Sequence, residues 1–259
     1  MANAEIVELY PSVENQVSPE EWEMRVNLAA CYRLVDLYDM SDMTRTHISA
    51  RVPGEDTFLL NPYGLMFNEI TASSLIKVDQ DGNELDNNGP YKINPAGFTI
   101  HSAVHGASHE YACVLHTHSE AGMAVSAMKC GLLPISQHAM RFYNRLSYHD
   151  YEGIALDLDE RERLIADLGD NQSMILRNHG FLTAGRTCAE AFSLVFYLEK
   201  CARSQIQAMA AGGPDALVYP SPEVCEHTAK QFETSTSVAE RDWPGHLRRL
   251  DALDPSYRT

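Results

Sequence analysis

Positive charge is scarce in this chain: 20 Lys and Arg stand against 36 Asp and Glu, a formal charge of −16 over 259 residues. So acidic a surface repels polyanions, which argues against a nucleic-acid partner and leaves a small-molecule substrate open. No uninterrupted apolar run approaches the length of a bilayer crossing, so no membrane partner is expected. The segment from Met1 to Ser18 lacks the basic start and apolar stretch of a secretory signal and carries Glu5, Glu8 and Glu14 instead, which makes the cytoplasm the expected location. No CxxC pair occurs among the six cysteines (Cys31, Cys113, Cys130, Cys188, Cys201 and Cys225), which read as reduced, buried, small hydrophobes. Internal repeats, low-complexity tracts and linkers are also missing. With 44% hydrophobic and 22% charged residues, one large globular domain is expected.

Periodicity supplies the elements. Ser18-Pro19-Glu20-Glu21 is a helix start, and Trp22, Val26, Ala30, Leu34 and Leu37 follow at helical spacing, predicting a helix to about Met40. Short apolar runs at Ile48 to Val52, Thr57 to Leu60 and Leu75 to Val78, broken by Pro and Gly, predict strands. Asp79 to Asn83 reads as a hairpin turn, with a further strand before Asn94-Pro95. A helix is expected over Phe98 to Ala107, a strand over Tyr111 to His116, and a helix over Ala121 to Met128. Strands at Ser173 to Leu176 and Phe181 to Gly185 then precede a long helix from Thr187 to Ala211 and a polar, partly helical tail. By pattern alone, the class is α/β.

The chemistry concentrates in histidine. In Leu115-His116-Thr117-His118-Ser119 two imidazoles sit two residues apart at a strand end, and β geometry turns both to one face, where they can chelate one ion. A catalytic zinc-type site needs a third protein ligand and an open position. His179 stands in a comparable place, after a buried run and in an Asn-His-Gly turn where Gly180 is expected to let the backbone turn sharply. His101, His105, His109, His149 and His227 read instead as hydrogen-bonded core residues.

At these residues the sequence resembles the class II aldolase/adducin family, whose zinc sites use a His-x-His pair and a later His before Gly. The resemblance runs from about Glu21 to about Gly212, and segments such as Asn61-Pro62-Tyr63-Gly64-Leu65 and Gly97-Phe98-Thr99-Ile100-His101-Ser102 are similar to its adducin-like branch. It implies that His116, His118 and His179 bind a divalent metal, zinc or else manganese. It also implies a three-layer α/β/α sandwich around a mainly antiparallel central sheet, and a homotetramer with sites where subunits meet. Residues 1–20 then form an N-terminal extension, 21–212 the family domain, and 213–259 a helical tail packing on the domain or a neighbouring subunit, where Tyr257 could close over a neighbour's site.

Departures from the pattern shape the functional expectation. Where sugar-phosphate enzymes of this family carry an acidic base, this chain has Gly97, which can neither accept a proton nor coordinate. Their phosphate-binding turn corresponds to Thr46-His47-Ile48-Ser49 followed by Arg51, and a serine pair to Pro95-Ala96, which argues against a phosphorylated sugar. His47 and Arg51 are candidates for holding a carboxylate, and His138, beside Gln137, matches the position of a tyrosine that acts across the subunit boundary. Glu69 is expected to cap a turn and Glu199 to lie on a helix surface. The expected function is a metal-dependent lyase, of aldolase or decarboxylase type, acting through a metal-stabilised enolate on a small, non-phosphorylated carbonyl or carboxylate compound. The alternatives are a non-catalytic adducin-like interaction module and a sugar-phosphate epimerase.

Overall fold

The computed structural model describes residues 2–153, 160–233 and 237–259. After α1 (Ala2–Leu9) comes α2 (Pro19–Leu37), then strands β1 (Ile48–Arg51), β2 (Phe58–Leu60), β3 (Ile76–Val78) and β4 (Glu84–Asp86). The middle of the chain holds α3 (Pro95–Ala107), β5 (Cys113–Thr117), α4 (Glu120–Ser126), α5 (Gln137–Met140) and β6 (Ser147–His149). The remainder is α6 (Glu160–Leu168), β7 (Ser173–Leu176), β8 (Gly180–Gly185), α7 (Cys188–Met209), α8 (Pro222–Glu233) and α9 (Ser237–Leu253). The predicted elements are present within a few residues of their expected ends, and α1, α5, β6 and α6 were not anticipated. The three-residue β6 is too short for a periodic signal.

The strands form one eight-stranded sheet in the order β4-β3-β2-β1-β5-β8-β7-β6. All neighbours are antiparallel except β6 with β7. Alternation along the central strands sorts side chains into two layers. Ile48, Leu59, Cys113, Leu115, Ile175 and Phe181 pack with α2 and α7 on one face. Val114, Met174, Leu176, Leu182 and Ala184 pack with Leu164 and Leu168 of α6 and Ile100 and Val104 of α3 on the other. Helices cover both faces, which is the α/β/α sandwich.

Local chemistry fixes the helix starts. Ser18 accepts a hydrogen bond from the Glu21 amide (3.1 Å) with Pro19 in the first turn of α2, and Thr187 accepts from the Glu190 amide (3.1 Å) at the start of α7. The tail lies on the same domain, with Trp243, Leu250 and Tyr257 buried in the α2/α7 layer. Tyr257 donates to Asp251 (2.9 Å) and is fully buried in its own chain, so it does not close over a neighbour's site. No helix among the described residues is long and apolar enough to cross a membrane.

Candidate metal centre

Two strand ends and one hairpin turn build the site. Residue 116 pairs with Leu182 and Thr117 with Phe181, so the end of β5 lies against the start of β8. His179 occupies the turn between β7 and β8, where its amide donates to the Leu176 carbonyl (3.1 Å). The sharp reversal is taken by Asn178 at φ +56° and not, as expected, by Gly180. Gly180 is required for another reason: a Cβ there would stand 2.2 Å from the Thr117 carbonyl oxygen. The close approach of β8 to β5 is what carries His179 to the other two imidazoles.

The three rings converge, with centroids 4.6, 4.7 and 4.7 Å apart. Nε2 of His116 lies 2.9 Å from Nε2 of His118, which lies 2.8 Å from Nε2 of His179. These spacings approach the roughly 3.3 Å edge of a tetrahedron of zinc–nitrogen bonds. The opposite ring nitrogens decide the protonation. Nδ1 of His116 donates to the Phe181 carbonyl (2.8 Å), and Nδ1 of His118 donates to the Asp42 carboxylate (3.0 Å). In the neutral ring each then has a bare Nε2, and two lone pairs face each other at 2.9 Å with no proton to share. Burial, with the imidazoles of His179 and His118, holds His116 well below its usual range, and burial with His118 brings His179 down to about 4. Protons are thus kept off the His116 and His179 nitrogens, and with the Nε2 of His118 between them the residues present fit a divalent metal.

A cavity of about 340 Å³ opens beside these rings. His47 and Gly97 line it together, and a Cβ at position 97 would lie 1.9 Å from Cδ2 of His47. The imidazole therefore fills the space from which a larger residue at 97 would exclude it. Burial and the nearby His118 bring His47 down to about 3, and neither ring nitrogen has a partner among the described residues. Arg45 also lines the cavity, a residue sequence reasoning missed because an exposed arginine in a turn carries no pattern.

The other sequence candidates fall elsewhere. Arg51 donates to the His105 carbonyl and pairs with Asp56 (3.6 Å), and it does not line the cavity. As the last residue of β1 it points along the α3 side of the sheet, away from the metal end. His138 packs against Tyr197 (4.6 Å between centroids) on α5, also outside this cavity. Glu69 caps its turn as expected, accepting from the Met66 amide (2.7 Å). Glu199 is buried, not on a helix surface, and accepts from Ser119 and from Arg203 (2.5 Å) in a second cavity that shares His118. Asp42, also unanticipated, orients His118. His101, His105 and His149 are buried with polar partners, whereas His109, in the turn after α3, and His227, on the outer face of α8, are exposed.

Comparison with known proteins places these features. Residues 26–206 match the family described as class II aldolase and adducin N-terminal domain. A Caulobacter vibrioides protein, provisionally named an aldolase class 2 protein, is 51% identical over 248 residues, covering 95% of this chain and 96% of its own length. Rat alpha-adducin is 40% identical over 91% of this chain, which corresponds to 34% of that protein. The solved structure of an aldolase II superfamily protein from Pseudomonas syringae superposes with a TM-score of 0.91 at 50% identity, over 96% of this chain and 100% of that one. The L-fuculose 1-phosphate aldolase of Glaciozyma antarctica PI12 superposes with a TM-score of 0.82 at 26% identity, over 96% of each chain. These likenesses support metal-dependent chemistry of the aldolase type.

Proposed function

Because the chain belongs to the class II aldolase and adducin family, we propose that it is a metal-dependent carbon–carbon lyase, of aldolase or decarboxylase type, for a small non-phosphorylated carbonyl or carboxylate compound. His116, His118 and His179 hold one divalent cation, zinc in preference to manganese. The observation that carries this reading is the convergence of the Nε2 atoms of His116, His118 and His179, 2.9 and 2.8 Å apart beside an open cavity. A divalent cation bound there supplies Lewis-acid stabilisation of negative charge on a carbonyl or carboxylate oxygen.

The chain's own residues bind and orient the substrate. Arg45 is the one arginine or lysine lining the cavity among the described residues, and its planar guanidinium suits a carboxylate near the entrance. Tyr151, with its ring 6.2 Å from that of His179, also lines the cavity. We extend the proposal to a cytoplasmic homotetramer, in which His138, remote from its own cavity, serves that of a neighbour. Within the chain, residues 21–212 form the catalytic domain, flanked by the extension 1–20 and the tail 213–259.

Metal analysis of the purified protein tests the reading directly. One divalent ion per chain is expected, with metal-dependent cleavage in a screen of small hydroxy- and keto-acids. A chain that neither carries nor takes up such an ion rules the reading out. The 40% identity with rat alpha-adducin favours a second reading, an interaction module. Filament co-sedimentation without metal-dependent turnover supports that alternative.

A further inference from the structure

The wall opposite the three metal-site imidazoles is built from two more. Gly97 and His101 lie one turn apart on α3 and so share a face. His47 is seated over Gly97, and the His47 and His101 rings come within 5.9 Å between centroids at an inclination of 51°. Both residues line the cavity, both are buried, and no hydrogen bond joins them.

A relay running away from the cavity dictates the protonation of His101. Nδ1 of His105 lies 3.3 Å from the Tyr111 carbonyl, which has no proton to give, so Nδ1 carries the hydrogen. Burial, then the charge of Arg51, brings His105 down to about 3, so its ring is neutral and its Nε2 is bare. That Nε2, 2.7 Å from Ser49 Oγ, takes the hydroxyl proton. The serine oxygen in turn accepts from Nδ1 of His101 at 2.6 Å. Burial, then His47 and His105, keep His101 neutral, so its Nε2 is left as a lone pair. That atom has no partner among the described residues, and neither nitrogen of His47 has one. A buried polar atom without a partner is costly, and a ligand able to bond it removes that cost.

We propose that His47 and His101 form a hydroxyl-binding slot, so that the substrate of the proposed metal site is a hydroxy compound. The ligand O–H donates to Nε2 of His101, and the same oxygen accepts the N–H of His47. Two hydrogen bonds of about 2.8 Å meeting at one oxygen span rings this far apart. A carboxylate or phosphate oxygen has no proton for the His101 lone pair and is turned away, which leaves the anionic end of the substrate to Arg45. The substrate's orientation rests on the metal reading, whereas the state of the relay does not.

Long-range proton–nitrogen spectra of the metal-free, 15N-histidine-labelled chain read the relay, with His101 identified by the signals lost in His101→Phe. The expected result is a bare Nε2 and a protonated Nδ1 on His101, becoming a mixture of tautomers in Ser49→Ala. A proton on Nε2 in the unaltered chain overturns the proposal. Calorimetric titration of the zinc-loaded protein with glycolate and with acetate reads the slot. The preference for glycolate should fall about tenfold in His101→Phe and in Gly97→Ala, whose methyl group displaces His47, with zinc content unchanged. An unchanged preference in both variants means that the slot holds water only and overturns the proposal. Failure to load zinc sinks the metal reading and leaves the tautomer result standing.

Discussion

Two clusters of three potential metal ligands lie among the described residues, and they differ in kind. His116, His118 and His179 bring their ligand atoms together, as do Cys31, Cys113 and Cys188, each set within 4.8 Å. The cysteines lie wholly inside the α2/α7 layer, where Cys31 donates to the Cys188 carbonyl (3.4 Å) and Cys188 approaches the Met24 sulfur (3.9 Å). Burial pushes the Cys31 thiol well above its ordinary range, so it keeps its proton. The histidines border an open cavity, and two of them are held by partners that turn a lone pair inward. Proximity of ligand-type atoms is common to both clusters. Outer partners that fix protonation, and a route for the ion, belong to only one.

Several substitutions can break or sharpen that contrast. The largest effect is expected for His118→Ala, which should lower bound divalent metal from one per chain to below about a tenth, as measured by elemental analysis. Cys188→Ala should leave the metal content unchanged, and a loss of metal there would erase the distinction. Asp42→Ala removes only the orienting carboxylate and should weaken metal affinity by about 10–100-fold in a chelator competition, without altering the fold.

Acidification acts next. His47 and His105 are brought down to about 3 and His179 to about 4, chiefly by burial, whereas the unfolded chain takes up these protons near pH 6.5. The unfolded state therefore binds more protons below pH 6.5. The contribution to stability is complete above that pH and is lost as pH falls toward 4 for His179 and toward 3 for His47 and His105, by up to about 1.4 kcal/mol per pH unit for each group. Urea midpoints of the metal-free protein between pH 7.5 and 5 measure the slope, and bound metal, which keeps protons off the folded-state imidazoles, should leave it as steep or steeper. The smallest effect is expected for Cys113→Ala, a loss of about 1 kcal/mol in the same unfolding experiment, from a small core void.

How much of this was legible follows from the range of each signal. Alternation and 3.6-residue spacing are local, so the elements from α2 to α7 could be read, α5, β6 and α6 excepted, as could the one-face geometry of His116 and His118. His179 was found only through resemblance, because no local pattern links residues on separate strands. Arg51 was named and Arg45 passed over for a related reason. Both flank His47, and which of the two reaches the cavity depends on β1 pairing with β5 and on the seat above Gly97. Reading His101 as a satisfied core residue was half right: Nδ1 is bonded to Ser49, while Nε2 is not.

The sequence alone determined the acidic surface, the helices and strands and their two faces, and the His-x-His chelate, since these follow from residue type and spacing within a few positions. Only the tertiary structure decided that Asp42 holds His118, that Gly97 makes room for His47, and that Ser49 and His105 fix the proton of His101. Each of these is a contact between distant segments. Its hydrogen bonds depend on separations of a few ångströms, which only the packing of helices against the sheet can set.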